Sequence, residues 1–373
     1  MKPKVYFIET ETGEALDSLA EKTKKLFDSL KFSSSVKRGD LVGVKTTFGE
    51  KNNVGHLKPP IVRAAVDKVR SDGGKPFVME TNTLYIGHRT NAVNHLLHAN
   101  NHGFTVETVG APIIIADGLM GENDYTMPLD LPGGLSKMAY IAGAVKAAQG
   151  LVVLTHVTGH MLTGMGATLK NVGMGLASRG GKLAMHSGIV PQIIEPDCTA
   201  CGICAEFCSP KAITIKDYAI IDPKQCIGCG ECLAVCPFEA VKIDWGEDAE
   251  NVQKKIAEYC VAVLKGKEKK CIFLNFIIHV TEQCDCMDKA YEPAFPDIGI
   301  LASRDPLAVD VATVDLIRES IGEDFFQKSW PGIDYTIQMD HAERIGLGSA
   351  DYELVNVSGS GSGSGKKRAA VRR

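Results

Sequence analysis

Residues 198–236 read CTACGICAEFCSPKAITIKDYAIIDPKQCIGCGECLAVC and contain the spacing C-x2-C-x2-C-x3-C twice. The first copy consists of Cys198, Cys201, Cys204 and Cys208, and the second consists of Cys226, Cys229, Cys232 and Cys236. Three thiolates spaced this closely can wrap one face of a four-iron four-sulfur cluster. The stretch therefore predicts two 4Fe-4S clusters held in one small unit.

The same duplicated spacing is typical of bacterial ferredoxins with two clusters, in which the fourth cysteine of each run ligates the other cluster. One cluster would then take Cys198, Cys201, Cys204 and Cys236, and the other would take Cys226, Cys229, Cys232 and Cys208. Crossed ligation would bring the two clusters close enough to exchange electrons. Electron transfer is therefore the first functional hypothesis.

Disulfides and zinc are the alternative uses of these cysteines. A disulfide framework suits a short secreted chain, whereas this chain has 373 residues and begins MKPKVYFIETETGE, without the apolar core of a signal peptide. Zinc sites often use two separate C-x2-C pairs. Both alternatives fit the duplicated run less well than clusters do.

Composition limits the remaining functions. The chain has 45% hydrophobic residues, 23% charged residues and a formal net charge of -4, as in ordinary globular proteins. It lacks an apolar run near the ~20 residues of a membrane helix, and its basic residues do not interleave with aromatic ones. We therefore expect neither direct membrane insertion nor nucleic-acid binding. The twelve cysteines without a secretion signal indicate a reducing, anaerobic cytoplasm.

Apolar segments alternate with amphipathic segments outside the cysteine-rich unit, which predicts an α/β domain with a larger mixed or parallel sheet. The predicted strands are Val5–Ile8, Leu41–Val44, Pro76–Met79, Ile113–Ile115 and Leu151–Leu154. The predicted helices are Leu16–Leu30, Pro60–Val69, Asn91–Asn101 and Ser136–Ala148.

The pattern resumes after the cysteines, with a predicted helix at Ala249–Leu264, strands at Cys271–Ile278 and Ile298–Leu301, and a helix from Asp305 to about Ser320. These strands are too few for a separate sheet. We therefore predict that residues 1–195 and 247–357 form one α/β domain. A ferredoxin-like α+β domain, residues 196–246, would be inserted into it, and residues 358–373 would be a flexible linker with a basic tail.

Polar residues follow several predicted strands, at the edge where open α/β sheets bind ligands. Thr81, Asn82, Thr83, Tyr85 and Arg89 follow the third strand, and His156 and His160 follow the fifth. A glycine-rich stretch with Lys170 and Asn171 comes next, and His186 follows. Caps of the next helices are an alternative role for such residues.

We interpret this polar set as a site, with His156, His160 and Lys170 as candidate catalytic residues and Thr81, Asn82, Thr83, Tyr85, Arg89 and Asn171 as candidate cofactor-binding residues. The glycine-rich stretch is neither a P-loop nor a dinucleotide fingerprint. Gly159 favours a loop between His156 and His160. Metal binding by His156, His160 and His186 is an alternative.

A C-x-C pair, Cys284 and Cys286, follows the predicted strand Cys271–Ile278. The pair suits metal binding or redox use, with His186 as a further ligand, and packing is the structural alternative. Cys260 and Cys271 are expected to be core residues.

The whole set of motifs resembles the iron–sulfur branch of the uncharacterised family called domain of unknown function 362. The motifs are Thr81–Tyr85 with Arg89, Ala116–Gly118, His156-x-x-Gly-His160, Lys170–Gly175, the doubled cysteine run, Cys284-Asp-Cys286, Asp297–Gly299 and Asp305-Pro306. Thr158 departs from the family pattern, which has a lysine there, so an anion contact is not expected at that position. The resemblance implies a ferredoxin-like module joined to an α/β domain, without implying a reaction.

Three functions follow as hypotheses. The first is an electron-transfer protein that passes low-potential electrons from a donor or redox partner protein to a site in the α/β domain or to a docked partner. The second is an iron–sulfur oxidoreductase that reduces a small molecule or cofactor at the strand ends, with a histidine as proton donor. The third is a metal carrier or assembly protein. Binding of a further metal or a flavin is left open.

Overall fold

A computed structural model describes residues 2–186, 190–243 and 248–357. The predicted linker and tail, residues 358–373, lie outside the described residues. The strands, in chain order, are β1 (Lys4–Glu9), β2 (Leu41–Lys45), β3 (Lys75–Glu80), β4 (Ile113–Ile115), β5 (Asp124–Pro128), β6 (Met138–Ala142), β7 (Gly150–His156), β8 (Thr158–His160), β9 (Gly164–Gly166), β10 (Gln192–Ile193), β11 (Ile213–Ile215), β12 (Ala219–Ile221), β13 (Val241–Lys242), β14 (Cys271–Ile277), β15 (Gly299–Ser303) and β16 (Glu353–Asn356).

Helices lie between most of these strands. They are α1 (Leu16–Leu30), α2 (Pro59–Ser71), α3 (Ala92–Asn101), α4 (Val106–Val109), α5 (Gly143–Ala147), α6 (Thr168–Gly173), α7 (Arg179–His186), α8 (Ile203–Glu206), α9 (Glu231–Val235), α10 (Ala249–Leu264), α11 (Pro306–Ile321), α12 (Phe325–Ser329) and α13 (Thr336–Arg344), with 3-10 turns at Phe32–Ser34, Glu195–Asp197 and Glu268–Lys270. Among the described residues, none of the helices combines the length and apolar character needed to cross a bilayer.

One eight-stranded sheet dominates the structure, with the order β16-β1-β15-β14-β7-β2-β3-β4. Neighbouring strands from β14 to β4 are parallel, whereas β15 is antiparallel to both β14 and β1. The fold class predicted from the sequence, an α/β domain with a parallel or mixed sheet, is confirmed. Strands β14, β15 and β16 follow the cysteine runs in the chain, so both ends of the chain contribute to this sheet.

Helices cover both faces of the sheet, and β7 shows why its residues form a central strand. Leu151 and Val153 face the core formed with α10 and α11, whereas Val152 and Leu154 face the core formed with α1 and α2. All four side chains are fully buried. A continuous apolar run is what a parallel strand covered on both faces requires.

The predicted helix Ser136–Ala148 is wrong. Its first half is β6, which pairs antiparallel with β5, and only Gly143–Ala147 is helical. Ala139 and Ile141 are buried while Met138 is exposed. This alternation with a period of two is that of a half-buried strand, and over so few residues the period is hard to distinguish from a helical one.

The cysteine runs lie in a small unit with its own apolar core, which we call the cluster module (residues 191–243). It contains the antiparallel pairs β10–β13 and β11–β12 and the short helices α8 and α9. Because β10 begins at Gln192, the paired strands start slightly before the predicted boundary at residue 196. Residues 244–246 of the predicted module lie outside the described residues.

Candidate functional site

The eight cysteines of the two runs line two cavities in the cluster module. One cavity is lined by Cys198, Cys201, Cys204 and Cys236, and the other by Cys226, Cys229, Cys232 and Cys208. The structure thus brings the fourth cysteine of each run together with the first three of the other run. All twelve cysteines of the chain lie in described residues, and none forms a disulfide.

The two halves of the module repeat each other in backbone conformation. Lys211 and Glu239, each three residues after the fourth cysteine of its run, have φ angles of 57° and 52°. The next amides, of Ala212 and Ala240, donate to Cys208 Sγ at 3.2 Å and to Cys236 Sγ at 3.3 Å. N–H groups directed at sulfur stabilise thiolates that carry negative charge. Four sulfurs per cavity with such donors form a set that fits an iron–sulfur cluster.

A separate cavity of about 180 Å³ opens at the carboxyl ends of β2, β3 and β7. We call it the edge cavity. Its polar lining comes from the strand ends, from α6 and α7, and from the loop that carries Cys284 and Cys286. These polar residues are Lys45, Thr47, Glu80, Thr81, Thr83, Tyr85, Arg89, Thr155, His156, Thr158, His160, Thr163, Lys170, Asn171, Lys182, His186, Cys284, Asp285 and Cys286.

Ion pairs fix one wall of the edge cavity. Lys45 at the end of β2 is 2.8 Å from Glu80 at the end of β3, and both side chains are buried. Burial lowers the pKa of Lys45 and the Glu80 carboxylate opposes that shift. Lys45 also donates to Asn171 Oδ1 at 2.8 Å. Asn171, one of the predicted site residues, therefore connects α6 to two strand ends.

A second pair lies beside the first. Arg89 Nε is 2.6 Å from Glu50 Oε1, and the Arg89 guanidinium also donates to the Tyr85 hydroxyl at 2.6 Å. The single proton of the Tyr85 hydroxyl has two acceptors within reach, Glu50 Oε1 at 3.0 Å and the backbone carbonyl of Cys286 at 3.2 Å. The predicted residues Tyr85 and Arg89 thus line the cavity and support the cysteine loop.

Thr81 and Thr83 also line the edge cavity, but Asn82 between them is not among the described lining residues. Its amide group donates to Asp117 Oδ1 at 3.1 Å and to the Gly118 carbonyl at 2.9 Å, and the side chain is fully buried. Successive residues of an extended segment point in opposite directions. The prediction of Asn82 as a cofactor-binding residue is therefore replaced by a role in holding its loop.

His156 lines the edge cavity, but the protein uses both of its ring nitrogens. Nδ1 is 2.9 Å from the Asp285 carboxylate, and Nε2 lies 3.0 Å from the Ile278 carbonyl. Burial favours the neutral ring, yet the Asp285 carboxylate and the backbone carbonyls of His279 and Ile278 together outweigh it, so the pKa of His156 is raised. A ring with an acceptor at each nitrogen is held as a cation. We interpret His156 as a positioning residue for the cysteine loop rather than as a proton donor.

His160 lies with the two cysteines of that loop. One nitrogen of its ring and the sulfurs of Cys284 and Cys286 all fall within 4.8 Å of one another. Lys170 Nζ is 3.4 Å from Cys284 Sγ. His186 also lines the cavity, yet it is not part of this close group, so the structure places His160 where the sequence suggested His186.

The close approach of His160 to the cysteine loop depends on Gly159. The expected loop at this position is a short strand, β8, paired with β9. The Gly159 amide donates to the Thr281 carbonyl at 2.7 Å, and a Cβ at Gly159 would lie 2.2 Å from the Glu282 carbonyl oxygen. Only glycine allows the two backbones to come this close.

Two further residues at the site were not predicted from the sequence. Lys182 on α7 donates to Thr81 Oγ1 at 2.7 Å and to the Ala177 carbonyl at 2.7 Å, and Glu50 binds Arg89. Both are ordinary charged residues in stretches that lack a motif. Their burial, which the sequence does not display, is the signal that marks them.

The edge cavity and the cluster module share a wall. Leu84 lines the cavity and packs in the apolar core of the module with Cys204, Cys208 and Cys232. Arg179, at the start of α7, is fully buried beside the second cysteine run, where a Cβ at Gly230 would lie 3.2 Å from its Cδ. The module is thus packed directly against the body that forms the edge cavity.

A sequence profile for the family described as Domain of unknown function (DUF362) matches residues 42–315. The chain belongs to this family. In this DUF362 protein, the matched residues include the strands of the edge cavity and the cluster module. The family description names no reaction.

Short segments of this DUF362 chain are similar to iron–sulfur proteins. It is 40% identical over 54 residues to the "Ferredoxin-like protein in nif region" of Sinorhizobium fredii, covering 13% of this chain and 84% of that protein. It is 34% identical over 55 residues to one subunit of an ion-translocating oxidoreductase complex from Methanosarcina acetivorans, covering 14% of this chain. The chain spans only 21% of the length of that second relative. These matches identify a ferredoxin-like, iron–sulfur module.

Among solved structures, the lactate racemase apoprotein from Thermoanaerobacterium thermosaccharolyticum aligns with a TM-score of 0.39 and 14% sequence identity. The alignment covers 73% of this chain and 50% of that one.

Proposed function

We propose that this DUF362 protein transfers electrons through two 4Fe-4S clusters. Cys198, Cys201, Cys204 and Cys236 would hold one cluster, and Cys226, Cys229, Cys232 and Cys208 would hold the other. When bound, such clusters supply one-electron transfer at low potential. The observation that carries the proposal is the grouping of the eight sulfurs around two cavities, four to each, with amides directed at Cys208 and Cys236.

The destination of the electrons in this proposal is the edge cavity or a partner docked near it. The position of Leu84 favours the cavity as the destination, because its side chain belongs both to the cavity wall and to the core of the module. The similarity to a subunit of an oxidoreductase complex favours a partner protein as the destination. Iron–sulfur clusters and twelve cysteines without a disulfide favour a reducing compartment such as an anaerobic cytoplasm.

Metal and sulfide analysis of anaerobically purified protein tests this function. We expect about eight iron and about eight sulfide per chain, with visible absorption that a one-electron donor bleaches. Cys232→Ala should remove about half of the iron. Cys260→Ala, which alters a buried thiol on α10 outside the cluster module, should retain all of it. Protein that binds only zinc, or that shows no reversible bleaching, would rule out the proposal.

Reduction of a small anionic molecule in the edge cavity is the second candidate. The observation in its favour is charge, because Lys45, Arg89, Lys170 and Lys182 line the cavity and outnumber the carboxylates of Glu80 and Asp285 there. Buried cations of this kind favour carboxylate or phosphate ligands. Equilibrium dialysis with inorganic phosphate should show binding that Lys182→Met weakens and that Lys25→Met, on the exposed face of α1, leaves unchanged. Equal binding by both variants would exclude a phosphate site in the cavity.

A further inference from the structure

The cysteine loop holds its two sulfurs in a fixed arrangement. Cys286 N–H donates to Cys284 Sγ at 3.2 Å, and the Met287 amide donates to the Cys284 carbonyl at 3.0 Å. Asp285 between the cysteines is buried and bonded to His156 and to Asn53. The loop backbone is therefore anchored on both sides, while the two sulfurs are not joined and lie within 4.8 Å of each other.

The surroundings of the two sulfurs oppose a metal ion. The Lys170 ammonium already lies 3.4 Å from Cys284 Sγ and would repel a second cation. His160 Nδ1 accepts hydrogen bonds from the amides of Leu162 and Thr163, both at 3.2 Å. The proton of the neutral ring therefore sits on Nε2. A metal-binding histidine shows the opposite arrangement, in which the nitrogen that is not bound to metal donates a hydrogen bond.

The same surroundings suit a thiol pair with unequal members. A hydrogen bond from the Cys286 thiol, aided by the charge of Lys170 and opposed by burial, lowers the pKa of Cys284 to about 6. The interaction with Cys284 and burial raise the pKa of Cys286 well above its usual range. One thiolate beside one thiol is the resting state of dithiols that undergo disulfide exchange.

We propose that Cys284 and Cys286 form a redox-active dithiol that cycles with an intramolecular disulfide at the end of the electron path. A disulfide requires the two sulfurs, now within 4.8 Å of each other, to approach to about 2.05 Å. The inference rests on the proposed function, since the clusters supply the electrons.

The chemistry of this cycle balances. In the reductive direction the Cys284–Cys286 S–S bond accepts two electrons, one from each reduced cluster, and breaks. One proton goes to Cys286, which becomes a thiol, while Cys284 remains a thiolate beside Lys170. In the other direction the Cys284 thiolate attacks a substrate disulfide, which releases one substrate thiolate and leaves a mixed disulfide. Cys286 then transfers its proton to the first released substrate thiolate and attacks Cys284 Sγ, which releases the second substrate thiolate and restores the internal disulfide. The substrate class is therefore a disulfide small enough to enter the edge cavity.

Peptide mapping of the full-length, anaerobic protein tests the dithiol. We expect treatment with cystamine, a small disulfide, to give a peptide that is about two mass units lighter and that no longer reacts with iodoacetamide at residues 284 and 286. Cys284→Ala and Cys286→Ala should abolish this change, whereas Cys260→Ala should not. Reduced methyl viologen should then restore both thiols at least about tenfold faster in the wild type than in Cys232→Ala, which lacks one cluster.

The outcomes of these experiments separate this inference from the proposed function. Failure of methyl viologen to bleach the cluster absorption would overturn the electron-transfer function. Bleached clusters with an unreduced disulfide, or no disulfide between residues 284 and 286, would overturn the dithiol alone. Metal beyond that of the clusters that disappears in Cys284→Ala and Cys286→Ala would also overturn it, in favour of a metal site.

Discussion

At the scale of single residues, a cation lies beside the sulfurs of the cysteine loop and another lies beside the second cysteine run. Lys170 Nζ lies 3.4 Å from Cys284 Sγ, and Arg179 is a buried cation beside the second cysteine run. Within the described residues, Arg179 Nη1 has no hydrogen-bond partner, although its Nε donates to the Met120 carbonyl at 2.8 Å. A buried cation that is not fully hydrogen-bonded is costly unless a negative charge lies nearby. The carboxylates of Asp117 and Glu122 supply part of that charge, and a reduced cluster would add to it.

Arg179 therefore gives a prediction for the cluster held by Cys226, Cys229, Cys232 and Cys208. Arg179→Met should lower the reduction potential of that cluster, because a positive charge stabilises the more negative reduced state. We expect a shift on the order of tens of millivolts in an EPR-monitored titration, and a smaller shift for Arg179→Lys. Equal potentials in all three proteins would contradict a role for this charge.

Lys170 gives a prediction for the pH dependence of Cys284. The Cys284 thiolate forms above a pKa of about 6, so the rate at which Cys284 reacts with iodoacetamide should rise through that pH and then level off. The groups that face it are Lys170, Cys286, Asp285 and His160. Lys170→Met removes the cation that favours the thiolate, so the midpoint should move to higher pH. Lys25→Met is the control, and an unchanged midpoint in Lys170→Met would show that the ammonium does not stabilise the thiolate.

At the scale of elements, the edge cavity depends on short segments with fixed ends. Helix α6 carries both Lys170 and Asn171, and its first amides, of Thr168 and Leu169, donate to the buried carboxylate of Asp310 on α11 at 2.9 and 2.8 Å. A carboxylate at a helix N-terminus satisfies amides that lack partners within the helix. Lys170 is thus held by a residue that is distant in the chain.

Strand β8 gives a prediction at this scale. Gly159→Ala would place a Cβ 2.2 Å from the Glu282 carbonyl oxygen, so β8 and the cysteine loop must move apart. We expect a loss of about 1–3 kcal/mol of stability, seen as a lower melting temperature, together with slower disulfide formation between Cys284 and Cys286. Gly332→Ala is the matched control, since a Cβ there meets nothing within 4 Å. Equal melting temperatures for the two variants would contradict the packing role of Gly159.

The sequence predicted those elements whose pattern is local. Leu151–Leu154 is a continuous apolar run and forms the centre of β7. The cysteine spacing predicted the same two groups of four sulfurs that line the two cavities. Short elements were harder, as β6 shows. The hydrogen bond from Lys182 to Thr81 and the approach of His160 to Cys284 and Cys286 depend on contacts between distant segments, which a local pattern does not contain.

At the scale of the whole molecule, the position of β14 next to β7 is the main feature. These strands pair in parallel from Cys271 opposite Leu151 to Phe276 opposite His156, although the cluster module lies between them in the chain. The strands before and after the module therefore share one sheet. We propose that residues 1–195 and 247–357 form one domain with the module inserted.

Limited proteolysis tests this domain organisation. We expect a cut between the module and α10 to leave fragments that stay associated in gel filtration, because β14 is hydrogen-bonded on one side to β7. A C-terminal fragment that separates and remains folded by circular dichroism would instead indicate an independent domain.

Iron analysis of two double variants distinguishes crossed from uncrossed ligation of the two proposed clusters. Cys208→Ala with Cys226→Ala removes two ligands of the same proposed cluster, so about four iron per chain and one EPR signal should remain. Cys204→Ala with Cys208→Ala removes one ligand from each cluster, so both should be lost. The reverse result, with one cluster retained in the second variant and none in the first, would show that each cysteine run holds its own cluster and would contradict crossed ligation.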